Sequence, residues 1–597
     1  MWIFPKRIQE FSSPQAVLLL FVLGLAAYAN AISHPFVHDD IVFIQNNPRI
    51  SQLNIKDIFD YTAPAPHEPS VVNAYYRPFL ELVYRSEYRL FGLNPHGYHL
   101  FNILVHIANS ILVYGILLLI LPGRKTFVLS AAALFLLHPV QTEAVACIAG
   151  ISNLSFAFLG LGSLYFYLVS RRPSTKQKIV FYALSLLLFF VSLLAKEQAV
   201  TLLLLIILWE MCFGKTSGQR GVVQLLGYVI IFAGYMIFRQ SMLAGALGFP
   251  VILNAEFGLR VLSIAGTLLI YLKIFFFPAD LHYYRSVDIL QPFIASWILL
   301  LIILGGTAYF ISRAGSEERK ILIFGGGWFI LSLAPTLNII PLVNEYSWIL
   351  AAEHFLYLPL AGLIVFVLRL GGNFMERVFP KAPRSVNTVI LIAVFITCLS
   401  LTIKQNTYWK DEVALFERTL RFERLGRVHI LLAKAYYQQG KYFDAIAEGN
   451  EAVSIFDSYL KKTTDKQVGR IYLGFMKGAY FDLARSYQSA GDLASAGLSY
   501  EKALVIDPLD STLHNSAGVF YAQTGSLDKA VGHFEKAVHL DSSDFNAKFN
   551  LALGYARNGK LGEAKELLGE IIEKDKAKTM PLAQNMLNDL MKEEAGQ

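Results

Sequence analysis

VLLLFVLGLAAYANAISHPFVHDD, residues 17–40, decides how the rest of the chain is read. Its apolar part, residues 17–32, reads as a membrane span, and Asp39-Asp40 follow at the start of a polar loop covering residues 34–97. A carboxylate at the mouth of a span stays ionised in water yet reaches both a lipid-borne and a water-borne reactant. Two adjacent carboxylates there are candidates for chemistry, and the plainer alternative is that they only cap the loop.

The whole chain agrees with a membrane reading. Of its 597 residues 55% are hydrophobic and 16% charged, with a mean hydropathy of +0.46, which excludes an ordinary soluble domain. The net charge of +7 does not point to nucleic acid, because Lys and Arg fall in short clusters between apolar runs. Cys147, Cys212 and Cys398 have neither metal-ligand spacing nor the density of a disulfide framework. The first residues have the plan of a signal peptide, but the apolar run is long and Ala-rich, so an uncleaved first span is expected.

Arg77-Pro78 opens a short amphipathic helix in the loop, with Pro in the first turn, where its missing N–H does no harm. Phe79, Leu80, Val83, Leu90 and Phe91 line one side, and Glu81 and Arg85 lie four apart, as in a helix lying on a membrane surface. The second span, about residues 98–121, carries His99, Asn102, His106 and Asn109 on one face. Such a stripe either hydrogen-bonds other helices or lines a substrate path. Further spans are expected at about 127–137, 148–169, 179–195, 199–213 and 222–242. Turns on one side are basic (Arg124-Lys125, Arg171-Arg172). The opposite turns, 138–143 and Lys196-Glu197-Gln198, fall on the side of Asp39 and Asp40. Residues 258–277 are apolar enough to span, but then the basic loops 313–320 and 369–384 would change sides. Charge bias therefore has this segment dip in or lie buried, giving about eleven spans, the last near 292–312, 321–340, 355–370 and 386–403. An odd number puts the C-terminal part on the side of the acidic pair.

From residue 426 the composition turns soluble and helical, with a period of 34. Turn glycines Gly440, Gly491, Gly525 and Gly559 align with Tyr436, Tyr487, Tyr521 and Tyr555 before them and Ala445, Ala496, Ala530 and Ala564 after them. This is the tetratricopeptide pattern, in which small residues let paired helices approach and aromatics fill the gap. The expected architecture is all-α. A polytopic membrane domain (1–405) and a linker helix (406–425) precede a tetratricopeptide solenoid (426–597), with units near 426–459, 477–510, 511–544 and 545–578 and a capping helix at 579–597.

Several strings add up to more than any one of them: His38-Asp39-Asp40 with Asn46-Asn47; Tyr76-Arg77-Pro78; Leu93-Asn94-Pro95-His96-Gly97-Tyr98-His99-Leu100-Phe101-Asn102 with His106; His138-Pro139; Thr142-Glu143-Ala144-Val145; Lys196-Glu197-Gln198; and Glu353-His354-Phe355-Leu356-Tyr357-Leu358-Pro359. In this order, followed by helical repeats, they resemble the transmembrane-and-tetratricopeptide O-mannosyltransferases over nearly the whole chain. The resemblance implies a membrane glycosyltransferase of the C-type fold, taking sugar from a polyprenyl-phosphate carrier and acting on the far side of the membrane, with a Ser or Thr hydroxyl as acceptor. One departure is Glu353-His354, where the family usually shows Glu-Arg; a fixed charge becomes a titratable one.

A sugar phosphate has its leaving group already, so the protein must activate an acceptor hydroxyl and steady the departing phosphate. Asp39 or Asp40 is the expected base. Arg77, Lys196, Arg285 and His354 are the cations for phosphate, with Glu143, Glu197 and Glu353 to orient them or touch sugar hydroxyls. His38, His99, His106 and His138 complete the candidate substrate-binding set. The sequence has no dedicated metal-ligand cluster, although a divalent cation is compatible with the chemistry. The expected partners are a lipid-linked sugar donor and a protein or glycan acceptor held in the groove of the repeats. The expected location is a bacterial inner membrane with the repeats in the periplasm, or an endoplasmic reticulum membrane with the repeats in the lumen. The rival readings are a non-catalytic, membrane-anchored repeat scaffold or chaperone, and a transporter of polyprenyl-linked sugars.

Overall fold

The computed structural model describes residues 13–51, 58, 77–172, 175–214, 219–243, 257–286, 294–337, 349–380, 383–463, 466–574 and 581–595. Tyr76 of the motif strings lies outside them. The chain divides into two compact units, Met1–Phe422 and Glu423–Gln597.

The first unit is helical: α1 Ser13–Tyr28, α2 Pro78–Phe91, α3 Pro95–Ile120, α4 Lys125–Leu137, α5 Thr142–Ala146, α6 Ile151–Ser170, α7 Lys178–Ala195, α8 Thr201–Phe213, α9 Gln219–Leu243, α10 Phe257–Phe276, α11 Ile294–Ser312, α12 Ser316–Leu333, α13 Pro359–Val378, α14 Arg384–Asn406 and α15 Glu412–Leu420. Two short strands, β1 Arg285–Ser286 and β2 Ile349–Ala351, pair antiparallel. Eight of the described helices are long and apolar enough to cross a membrane, or nine if the bent pair α4 and α5 is one span. The other segments of the eleven-span expectation are shorter or more charged: α8 has 13 residues, and α12 carries Glu317 and Glu318 in its first turn.

Local chemistry sets the helix ends. Asn94 caps α3 by accepting from the His96 N–H, with Pro95 in the first turn. At about 1.5 Å per residue the 26 residues of α3 run roughly 39 Å, so its two ends define two ends of the bundle. At the far end from Asn94, Arg124 pairs with Glu318 at 2.8 Å and Arg369 pairs with the same carboxylate. Glu318 in the first turn of α12 and Arg369 on α13 therefore gather with the Arg124 turn.

Between α4 and α5 the chain bends by 47° at His138-Pro139, where proline removes an N–H from the helical ladder. His138 repairs the break: its Nδ1 accepts from Val140 N at 3.3 Å, and its Nε2 donates to the Phe275 carbonyl at 3.1 Å. The polar stripe of α3 serves the same breaks. Asn102 donates to the Cys147 and Ile148 carbonyls, at 3.0 and 3.2 Å. Nε2 of His106 donates to the Leu136 carbonyl at 3.1 Å, leaving Nδ1 to accept from the Tyr357 hydroxyl at 2.7 Å. Asn109 donates to Leu154 O and to the Tyr357 hydroxyl, both at 3.0 Å. Backbone groups freed among apolar helices have no water to bond, and at the two breaks His138, Asn102 and His106 take its place, whereas Asn109 braces α6 at Leu154.

The second unit comprises helices α16 Gly426–Gln438, α17 Tyr442–Lys462, α18 Lys466–Ala490, α19 Leu493–Ile506, α20 Ser511–Gln523, α21 Leu527–Leu540, α22 Phe545–Arg557, α23 Leu561–Lys574 and α24 Pro581–Ala595. Gly440, Gly491, Gly525 and Gly559 turn between paired helices with φ of 73°, 87°, 81° and 77°, a conformation glycine takes without strain. Ala445, Ala496, Ala530 and Ala564 are buried where the helices approach. The residues added between the first two units form no loop domain; they lengthen α17 to 21 and α18 to 25 residues.

In the first unit α12 and α13 meet backbone to backbone at Gly325 and Gly362. A Cβ on Gly362 would lie 2.6 Å from Trp328 Cβ and 2.7 Å from Gly325 O and Phe329 N. Gly362→Ala is therefore expected to destabilise the bundle by about 1–3 kcal/mol. Gly306→Ala, with nothing within 4 Å, is expected to be neutral or mildly stabilising. Thermal unfolding of the two variants in detergent checks the pair.

Candidate functional site

A left-handed turn at His38 immediately precedes the two aspartates. His38 adopts φ 54°, unusual for a non-glycine residue. Its N–H donates to Glu412 at 3.2 Å, and its ring lies against Tyr283 and Phe416, with Nε2 2.6 Å from the Tyr283 hydroxyl. Beyond this turn Asp40 points inward and Asp39 outward. Asp40 is 1% exposed. One oxygen accepts from Val37 N at 3.1 Å; the other accepts from Ala149 N at 2.7 Å and from the Cys147 thiol at 3.5 Å. Burial pushes its carboxyl up to about 7, against the pull of these donors and helped by the charge of Asp39. The Asp39 side chain is 46% exposed and lies 3.3 Å from His38 Nε2.

The break after α5 carries the neighbouring groups. Glu143 accepts from His354 N and pairs with His354 Nδ1, both at 2.8 Å. The β1–β2 ladder sets Arg285 near Glu353, Nη1 to Oε1 3.4 Å; that oxygen also accepts from His282 N at 2.6 Å. Burial pushes the Glu353 carboxyl up, against the pull of Arg285. At the end of α7, Arg77 grips Glu197 with two bonds of 2.6 and 3.1 Å. Glu197 is buried, but Arg77 overcomes that cost and holds its carboxyl down at about 2. Next to it the buried Lys196 ammonium donates to Asn153 Oδ1 at 2.6 Å. Burial first, and then the Arg77 charge, lower Lys196 to about 7, with Glu197 and Glu143 opposing.

Asp39, Asp40, Arg77, Glu143, Lys196, Glu197, Arg285, Glu353 and His354 thus gather at one end of the first unit, with His38 setting the turn. His99, His106 and His138 do not join them. Both ring nitrogens of His106 and of His138 are engaged by protein groups at the helix breaks, and His99 Nε2 donates to the His34 carbonyl at 3.2 Å. Among the described residues no group of three or more His, Cys, Asp or Glu converges to hold a metal ion.

Sequence reasoning passes over Glu87. It is buried, and neither carboxylate oxygen has a hydrogen-bond partner among the described residues. Burial, and then the charge of Asp40, push its carboxyl well above the usual range. Its signal was present: four residues after Val83, it lies on the apolar face of α2.

A tetratricopeptide-repeat family model matches residues 481–547. The chain is similar to protein O-mannosyl-transferase TMTC4 of Homo sapiens, at 25% identity over 74% of this chain and 65% of that protein. It is also similar to protein O-mannosyl-transferase F38B6.6 of Caenorhabditis elegans, at 23% identity over 76% of this chain and 65% of that protein. Protein O-mannosyl-transferase TMTC3 of Mus musculus matches at 23% identity over 84% of this chain and 56% of that protein. These are proteins of the type that the motif strings resemble, and the chain spans 65% of the length of the first two, just under two thirds.

Asp40 and Lys196 give opposite pH signatures. Raised to about 7 from 3.8, Asp40 contributes stability that is fully present below its unfolded pKa and lost as pH rises through about 7. Lowered to about 7 from 10.5, Lys196 costs stability at neutral pH, and the cost is relieved as pH rises from about 7 towards 10.5. The melting temperature of the wild type relative to Asp40→Asn should therefore fall between pH 5 and 8. Relative to Lys196→Met it should rise between pH 7 and 10.

Proposed function

We propose that this chain is a multi-pass membrane glycosyltransferase that moves a hexose, mannose in the first instance, from a polyprenyl-phosphate carrier to a Ser or Thr hydroxyl of a protein. The repeats bind the acceptor. The observation that carries the reading is a half-exposed carboxylate, Asp39, and a buried ammonium, Lys196, set on either side of Glu143: the charge of Glu143 acts on Lys196 and, with Asp39 and Asp40, on Cys147. The similar proteins from Homo sapiens, Caenorhabditis elegans and Mus musculus are named protein O-mannosyl-transferases, which supports transfer to protein.

In the proposed step the acceptor oxygen attacks the anomeric carbon from the face opposite the phosphate, and the sugar inverts. The bond from that carbon to the phosphate oxygen breaks, and the phosphate leaves with the electron pair. The hydroxyl proton passes to Asp39, whose exposure lets it touch the acceptor. Asp40 is the anchor: its bonds to Val37 and Ala149 hold the turn that presents Asp39. Lys196 and Arg77 face the departing phosphate, where positive charge opposes the growing negative charge. Glu197 fixes Arg77, and the pairs Glu143–His354 and Arg285–Glu353 border the sugar. The acidic end faces the periplasm of a bacterial inner membrane in this reading, or the lumen of the endoplasmic reticulum in its alternative.

The test is transfer from a polyprenyl-phosphate sugar to protein by the purified chain in nanodiscs, read by mass spectrometry of lipid and protein. Asp39→Asn is expected to insert normally and bind donor, yet to lose transfer by about 10²–10⁴-fold; full transfer by this variant overturns the assignment. Donor binding gives a second check. The phosphodiester keeps its charge across neutral pH, so its affinity should drop above pH 7 as Lys196 loses its proton, by up to about tenfold per pH unit. Lys196→Met should bind weakly and show no such slope.

A further inference from the structure

In the second unit, α16, α18 and α20 lay Tyr437, Arg485 and Asn515 along one open cavity of about 580 Å³. The Arg485 guanidinium lies 4.8 Å from the Tyr437 ring centre and 5.9 Å from that of Phe481. Stacking of this kind holds the fork flat and leaves its edge N–H groups available. No carboxylate among the described residues lies within ion-pair distance of Arg485; Asp482, on the same helix, is paired with Lys434 at 3.6 Å. Beside it, Gln488 donates to Gln523 Oε1 at 2.6 Å, and Asn550 donates to Asn515 Oδ1 at 3.0 Å. These pairs engage the carbonyls of Gln523 and Asn515 while their amide N–H groups remain. The cavity wall therefore offers more donors than acceptors, together with one guanidinium that has no direct ion pair among the described residues and shares the charge of Asp482 with Lys434.

We infer that this cavity binds an extended, acidic polypeptide segment, with Arg485 gripping a carboxylate and the amides of Asn515 and Gln523 taking backbone carbonyls. The donor excess calls for a ligand rich in carbonyl and carboxylate oxygens, and a peptide backbone supplies them at regular intervals. Nucleic acid is the poorer match, because affinity for a phosphate chain comes from many cations acting together and this wall has one. The proposal deepens, and rests on, the reading of the repeats as the acceptor-binding part: the acceptors preferred are those with Asp or Glu in an unstructured stretch.

The probe is a short fluorescein-labelled peptide of Gly, Ser and Thr carrying two Glu, with a twin carrying Gln instead, titrated by fluorescence anisotropy against the full-length protein in nanodiscs. The Glu peptide is expected to bind at least about tenfold more tightly than its twin, an advantage that Arg485→Gln removes. The paired change Asn515→Ala with Gln523→Ala should weaken both peptides alike. Equal binding of the twins, no loss in Arg485→Gln, or no binding of either peptide overturns the inference, provided circular dichroism shows the helical content of the variants unchanged. Transfer kinetics separate the two claims. If Arg485→Gln raises KM for the acidic acceptor with kcat kept, both stand. Peptide binding without any sugar transfer sinks the transferase reading alone, and transfer at an unchanged KM sinks the groove alone.

Discussion

A backbone group freed where water is scarce must find a partner inside the protein, and the first unit is arranged around that constraint. Its helices break at His138-Pro139 and again near Cys147, and each break takes carbonyls out of the α-helical ladder. Asn102 and His106 on α3 meet them, with the Tyr357 hydroxyl tying His106 to Asn109. The breaks in turn supply what a continuous span would lack. They bring Glu143 beside His354 and free the Ala149 N–H to hold Asp40. A hydrogen-bonding seam within the bundle thus positions carboxylates at its mouth.

Neighbouring acids in sequence have different environments in space. Asp40 is enclosed by three donors, whereas Asp39 meets solvent and the His38 ring. A left-handed turn at His38 leads into the pair, and the contacts of His38 with Glu412, Tyr283 and Phe416 hold that turn in place. Lys196 and Glu197 repeat the lesson with opposite signs. Both are buried; the bidentate Arg77 keeps Glu197 ionised, while Lys196, with a neutral amide oxygen as its hydrogen-bond acceptor among the described residues, is lowered to about 7. A site with one firmly held anion and one easily deprotonated cation suits a substrate that brings its own negative charge.

The repeats show how far a period carries. Gly440, Gly491, Gly525 and Gly559 could be placed from spacing alone because a tight turn between packed helices needs a positive φ, and each has one. The small residues Ala445, Ala496, Ala530 and Ala564 followed from the same period. The Arg485 cavity did not, since its wall joins residues a whole repeat apart, such as Gln488 and Gln523.

What the sequence determined by itself is what depends on neighbours along the chain: apolar runs long enough to cross a membrane, the proline break, the turn glycines, and acids and cations in turns that charge bias put on one side. Only the tertiary structure decided which member of a pair is buried and which face meets which. It turned Asp40 inward, engaged the α3 stripe with backbone carbonyls, brought Arg285 to Glu353 through a two-strand ladder 68 residues apart in sequence, and set Glu87 against Asp40. The reason is that periodicity reports the direction of a side chain from its own helix axis, whereas burial, pairing and proton affinity depend on the groups that packing brings from elsewhere.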